Sequence, residues 1–135
     1  MFSNIKRDYD YGINSECSIL PTLQNLWGSD LECSPDKFAT IDFSSNTHLV
    51  ELKTRRNSFN KYPTTMIGKN KIDYLVNSEK KGIVVFKFTD GLYYLEITKD
   101  NINKFGLEEG GRRDRGYDER QLYYFIPTKM LKSIS

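Results

Sequence analysis

Histidine and cysteine are nearly missing from this 135-residue chain: it has one of the first, His48, and two of the second, Cys17 and Cys33. Four soft ligands cannot be assembled for a zinc finger, and a paired-histidine metalloprotease helix is excluded as well. A nucleophilic triad would have to use His48, and no serine or cysteine near it stands in a nucleophile-elbow pattern. Chemistry here would fall to carboxylates and lysine. Long apolar runs are also lacking. The run Ile83–Phe86 is four residues, against the roughly eighteen that a membrane span needs. The N-terminal stretch Met1-Phe2-Ser3-Asn4-Ile5-Lys6-Arg7-Asp8 has no apolar signal core, so an intracellular location (host cytoplasm or nucleus, not secreted) is expected, with no membrane partner and both cysteines reduced. The chain has no repeat, linker or low-complexity tract and reads as a single domain over 1–135, with a composition of 38% hydrophobic and 28% charged residues that suits a globular fold.

Charge is distributed unevenly. Residues 1–51 hold eight acids and three bases; 52–72 hold six bases (Lys53, Arg55, Arg56, Lys61, Lys69, Lys71) and no acid; 73–135 hold eleven bases and ten acids. The acidic part meets the basic part at one short motif, Glu51-Leu52-Lys53. That juxtaposition suits a site for both a metal cation and a polyanion.

The periodicity predicts a helix over 12–27 ended by Gly28, with Pro21 as a kink or late start. Strands are expected at 38–43 and 48–54, joined by Ser44–Thr47. A second helix is expected over 64–78, capped by Thr64 or Thr65. A hairpin at 82–88 and 92–97 follows, then a loop over 101–120, then an edge strand at 122–126 ended by Pro127. If Phe43 pairs with His48, Asp42, Glu51 and Lys53 share one strand face, and the two carboxylates are diagonal neighbours about 7–8 Å apart. The opposite face, with Ile41, Phe43, His48, Val50 and Leu52, is apolar and belongs to the core. Taken alone, the polar face also fits a solvated surface with a Glu51–Lys53 ion pair. On a helical wheel Glu16 falls within the apolar arc of Ile13, Leu20, Leu23 and Trp27. It is either aimed at the pocket of Asp42 and Glu51, or it snorkels or precedes a helix that begins after Pro21.

Asp42, the triplet Glu51-Leu52-Lys53 and Glu16 together resemble the PD-(D/E)xK nuclease superfamily. Small phage- and virus-type members are the nearest in kind, through Glu-Leu-Lys-Thr-Arg followed by Tyr-Pro-Thr-Thr-Met-Ile-Gly-Lys-Asn-Lys. The likeness spans about residues 12–97. It departs from the pattern in having Ile41, not proline, before Asp42; the literal Pro35-Asp36 stands six residues too early. The resemblance implies an α/β, restriction-endonuclease-like core: a central mixed β-sheet flanked by helices in α-β-β-β-α-β order, with extra C-terminal strands. It implies hydrolysis of nucleic acid, DNA before RNA, with Mg²⁺ or Mn²⁺ held by Asp42, Glu51, Glu16 and the Leu52 carbonyl. Lys53 would act on the attacking water or the phosphate. Arg55, Arg56, Lys61, Lys69 and Lys71 would hold the backbone, although the Lys71 stem equally fits packing with its ammonium snorkelling; Tyr62 is read first as a structural tyrosine, with stacking on a base as the alternative. Two cuts on a symmetric junction would favour a homodimer. The alternatives are a catalytically silent nucleic-acid- or protein-binding domain of the same fold, and an unrelated α/β domain in which Glu-Leu-Lys is coincidence.

Overall fold

The computed structural model describes residues 18–34, 41–110 and 121–134. A first helix, α1 (Leu20–Trp27), carries Pro21 in its first turn, where a missing N–H costs nothing, and ends at Gly28, whose φ of 120° suits glycine. Strands β1 (Glu32–Cys33), β2 (Phe43–Ser44) and β3 (His48–Thr54) run antiparallel; β4 (Thr64–Gly68) leads into α2 (Lys69–Asn77). Strands β5 (Lys81–Phe88) and β6 (Gly91–Ile97) form a hairpin. A 3₁₀ turn precedes β7 (Gly106–Gly110), and β8 (Gln121–Pro127) and β9 (Lys132–Ile134) close the chain. The central sheet has the order β1-β2-β3-β5-β6-β9 and is mixed: β3 and β5 are parallel, and its other pairs are antiparallel. A second, antiparallel sheet has the order β4-β8-β7. This is the mixed α/β architecture of a restriction-endonuclease-like core.

Both faces of the central sheet are covered. Phe43, Val50, Leu52, Ile83 and Val85 pack with Ile19, Leu23 and Leu31 on the α1 side. Leu49, Val84, Phe86, Phe88 and Leu95 pack with Ile72 and Leu75 of α2 and Ile67 and Ile126 of the small sheet. Burying an aliphatic side chain of this size stabilises by about 1.5–3 kcal/mol, so Ile72 and Leu75 anchor α2 firmly. Its approach is close. A Cβ added at Gly82 would lie 2.7 Å from the Cβ of Leu75, and only glycine on β5 lets the helix sit there.

Five sequence expectations change. The strand expected over 38–43 is not seen at 41–42, which form a bend before the short β2, and 38–40 lie outside the described residues. Thr64–Gly68 is a strand and not the first turn of a helix, because its β-branched residues pair with β8 (Thr65 with Ile126, Ile67 with Tyr124). Strand β8 is the middle strand of its sheet and not an edge; Pro127 stands at its last position, where the missing donor is tolerated. Residues 106–110 form a strand within the stretch expected as loop. Cys33, expected as a thiol, is disulfide-bonded, and the chain's other cysteine, Cys17, lies outside the described residues.

Candidate metal and phosphate site

The β2–β3 connection sets the geometry. The expected register paired Phe43 with His48; the observed register pairs Phe43 with Val50 and Ser44 with Leu49. The shift arises because the turn is tighter than expected. The Ser45 amide donates to the His48 carbonyl (2.9 Å), and the Ser45 hydroxyl oxygen accepts from the amides of Thr47 (3.2 Å) and His48 (3.0 Å). A shift of two residues leaves every side chain on its own face. Carried one residue back from β2, the observed register brings Asp42 opposite Glu51 instead of diagonal to it.

Asp42 stands just before β2, and its Oδ2 accepts the Leu52 amide at 2.9 Å. The carboxylate thus takes the place of a ladder partner where β2 has ended. The N–H and C=O of one strand residue point to the same side, so the Leu52 carbonyl is directed to that same edge. Glu51 is 3% exposed and is the only buried ionisable residue among those described. Its Oε1 lies 3.6 Å from the Lys53 Nζ and 3.8 Å from the Lys71 Nζ, and its buried Oε2 has no hydrogen-bond partner. Burial pushes the Glu51 carboxyl up to about 7, and the Asp42 charge adds to the rise; Lys71 and Lys53 pull the other way. An unsatisfied buried polar atom costs about 1–3 kcal/mol. Glu51 thus combines an unsatisfied buried Oε2 with two ammonium groups near its other oxygen and the charge of Asp42 nearby, which makes it a candidate for a functional site.

The remaining residues singled out in the sequence are placed as follows. Lys71, in the first turn of α2, comes to Glu51 because α2 packs against β5, the parallel neighbour of β3. Lys69 is turned to Asp73, one helical turn on, at 2.6 Å. Arg56 and Lys61 are exposed on the segment after β3. Glu16 lies outside the described residues. Among the described residues no group of three or more His, Cys, Asp or Glu side chains converges, so Asp42 and Glu51 form a pair. His48 stands at the far end of β3 beside Trp27, with ring centroids 6.5 Å apart.

Arg55 is placed unlike a surface phosphate contact. Its Nε donates to the Thr65 hydroxyl at 3.2 Å, its Nη2 donates to the Met66 carbonyl, and its guanidinium lies 5.8 Å from the centre of the Phe86 ring. It ties the end of the central sheet to the small sheet. The sequence signal for this acceptor pair was Thr64-Thr65-Met66-Ile67, which reads as a strand once β8 is there to pair with it. Hydrogen bonds to charged groups contribute about 1.5–3 kcal/mol each. Arg55→Ala is therefore expected to lower unfolding stability by about 2–4 kcal/mol, and Arg56→Ala by less than about 0.5 kcal/mol, as urea denaturation would measure. Equal effects of the two would contradict the structural role of Arg55.

No helix among the described residues is long and apolar enough to cross a membrane. No curated protein and no solved structure matches the chain. Over residues 22–132 it matches the family described as "Phage putative PDDEXK endonuclease". That span runs from α1 through the carboxylate pair, Glu51-Leu52-Lys53 and α2 to the start of β9, and the chain belongs to this family.

Proposed function

We propose that the protein is a divalent-metal-dependent endonuclease that hydrolyses phosphodiester bonds of nucleic acid, DNA in preference to RNA. The observation that carries this reading is Glu51: buried, with an unsatisfied Oε2, opposite Asp42 and between two lysines. A carboxylate so placed either keeps a proton or shares a cation with its neighbour.

The donor set fits Mg²⁺ or Mn²⁺. It is all oxygen, and hard cations of this size take carboxylate and carbonyl oxygens. Asp42 and Glu51 would hold the ion, with the Leu52 carbonyl and Glu16 as the further ligands. When bound, the ion supplies an acidified water and offsets negative charge on the scissile phosphate. The chain's own groups do the rest. The Leu52 amide fixes the orientation of the Asp42 carboxylate, so the pair is set before substrate arrives. Lys53 reaches from the same strand face and stabilises the charge that grows on the phosphate oxygens as the bond breaks. Lys71 reaches the same Glu51 oxygen from α2 and holds the phosphate in place. Arg56 and Lys61 bind the backbone outside the site, an interaction that weakens with salt.

A second reading, a catalytically silent nucleic-acid-binding domain, is favoured by the absence of a third metal-capable side chain beside the pair among the described residues. One experiment separates the two. The protein is incubated with Mg²⁺ or Mn²⁺ and with single-stranded, duplex and branched DNA and RNA, with and without chelator, and Mn²⁺ binding is measured by calorimetry. Internal cleavage of DNA that stops when metal is removed is expected. Binding of nucleic acid with no cleavage and no Mn²⁺ uptake would support the silent domain instead.

A further inference from the structure

Arg55, Asn57, Phe59, Tyr62, Met66, Phe88 and Phe125 line, with four smaller residues, a cavity of about 400 Å³ between the segment after β3, the β5–β6 hairpin and the small sheet. The hollow does not collapse, because its walls are pinned on several sides. The Arg55 amide donates to the Lys87 carbonyl (2.8 Å), the Thr89 amide to the Asn57 carbonyl (3.1 Å), and the Thr128 amide to the Pro63 carbonyl (2.9 Å). The Phe59 amide donates to the Asp90 carboxylate (2.9 Å), and the Phe59 ring stacks on Tyr93 with centroids 4.0 Å apart. Tyr62, by contrast, is 54% exposed, with the Lys61 Nζ 5.8 Å from its ring centre. The interior is aromatic and apolar, and Asn57, Thr64 and Thr128 add hydrogen-bonding groups.

We infer that this cavity receives one unstacked nucleobase of the nucleic-acid substrate, with Tyr62 as its stacking platform. The inference rests on the nuclease reading for the presence of nucleic acid, and three features of the molecule select the occupant. The mouth belongs to the stretch 52–72, which has six bases and no acid, and Arg56 and Lys61 are exposed next to residues that line the cavity; this charge favours a polyanion. The cavity lies within reach of the site: Arg55, which lines it, follows the end of β3 four residues after Glu51, about 13 Å along the chain at about 3.3 Å per residue. The lining combines aromatic rings with a few polar groups, which suits a flat heteroaromatic ring with a hydrogen-bonding edge. Tyr62 is then a specificity residue that selects single-stranded, bulged or branched substrates over perfect duplex, since only those present an unpaired base at low cost.

The test reads binding with the metal chelated. Oligonucleotides carrying 2-aminopurine either at an unpaired bulge or within a perfect duplex are titrated with the full chain, and both anisotropy and 2-aminopurine fluorescence are recorded. Expected is about 10-fold tighter binding of the bulged oligonucleotide, with quenching of its fluorophore. Tyr62→Ala should weaken bulge binding about 10-fold, within the range of base–aromatic stacking, and remove the quenching, and Tyr62→Phe should restore both. Circular dichroism of Tyr62→Ala confirms that the fold is intact, as expected for a half-exposed side chain. Equal affinity for bulge and duplex, no quenching, or a Tyr62→Ala protein that behaves as wild type would overturn the assignment. Because cleavage is not read, a chain that cleaves nothing can still pass this test, and an active nuclease can still fail it.

Discussion

Replacing Glu51 by glutamine is expected to lower metal-dependent cleavage on the order of 10²–10³-fold and, in the same molecule, to stabilise the metal-free chain at pH 8. Both effects come from one carboxyl. In the folded chain it is 3% exposed and titrates at about 7, because burial and then Asp42 disfavour its charge, against an ordinary value of 4.5. Between those two pH values the folded state keeps a proton that the unfolded state has released. Stability therefore falls as pH rises from 4.5 to about 7 and levels off above. A separation of that size corresponds to roughly 3 kcal/mol as an upper figure. Glutamine has the same shape and no proton to lose, so Glu51→Gln should remove this slope and match wild type near pH 5. Urea denaturation at pH 5 and pH 8 in chelator measures the difference. Added Mn²⁺ should then stabilise wild type at pH 8, by about 2.7 kcal/mol at a hundredfold excess over Kd, and leave the glutamine variant unmoved. Wild-type stability that rises between pH 5 and pH 7, and a Mn²⁺ response retained by Glu51→Gln, would together remove Glu51 from the site.

Lys53→Ala should also cost cleavage on the order of 10²–10³-fold, and the pH profile shows how. Lys53 lies 3.6 Å from Glu51 and pulls its carboxyl down. Removing the ammonium raises that carboxyl further, so metal binding moves to higher pH. If this were its whole role, raising the pH would recover full activity. A lysine that stabilises charge on the phosphate leaves a deficit at every pH and every metal concentration, and this is the expected result, with Lys53→Arg partly active. Lys71, 3.8 Å from the same Glu51 oxygen on α2, is assigned to holding the phosphate and is not expected to substitute. Full recovery of Lys53→Ala at high pH would reduce Lys53 to a residue that tunes Glu51.

Alternation along His48–Lys53 was enough to place Glu51 and Lys53 on one face of β3; the strand expected over 38–43 does not extend to Asp42, which reaches β3 instead through its hydrogen bond from the Leu52 amide. The scarcity of histidine and cysteine pointed to an oxygen and lysine site before any geometry was known. The family likeness rested on the order of those residues, and the match over 22–132 supports it. Local pattern could not show that the polar face of β3 is covered. The covering elements, α2 and the small sheet, come from residues 64–77, 106–110 and 121–127, and the approach of α2 depends on Gly82 meeting Leu75.

What the sequence by itself determined is the chemistry available: hard oxygen donors beside lysine at the boundary of an acidic and a basic stretch. Only the tertiary structure decided how those groups behave. Burial raises a surface-type glutamate to about 7, packing brings Lys71 to it, and the small sheet draws Arg55 inward to Thr65 and Met66. The reason is physical: side-chain type is local, whereas desolvation and charge proximity depend on which distant segments close over the site.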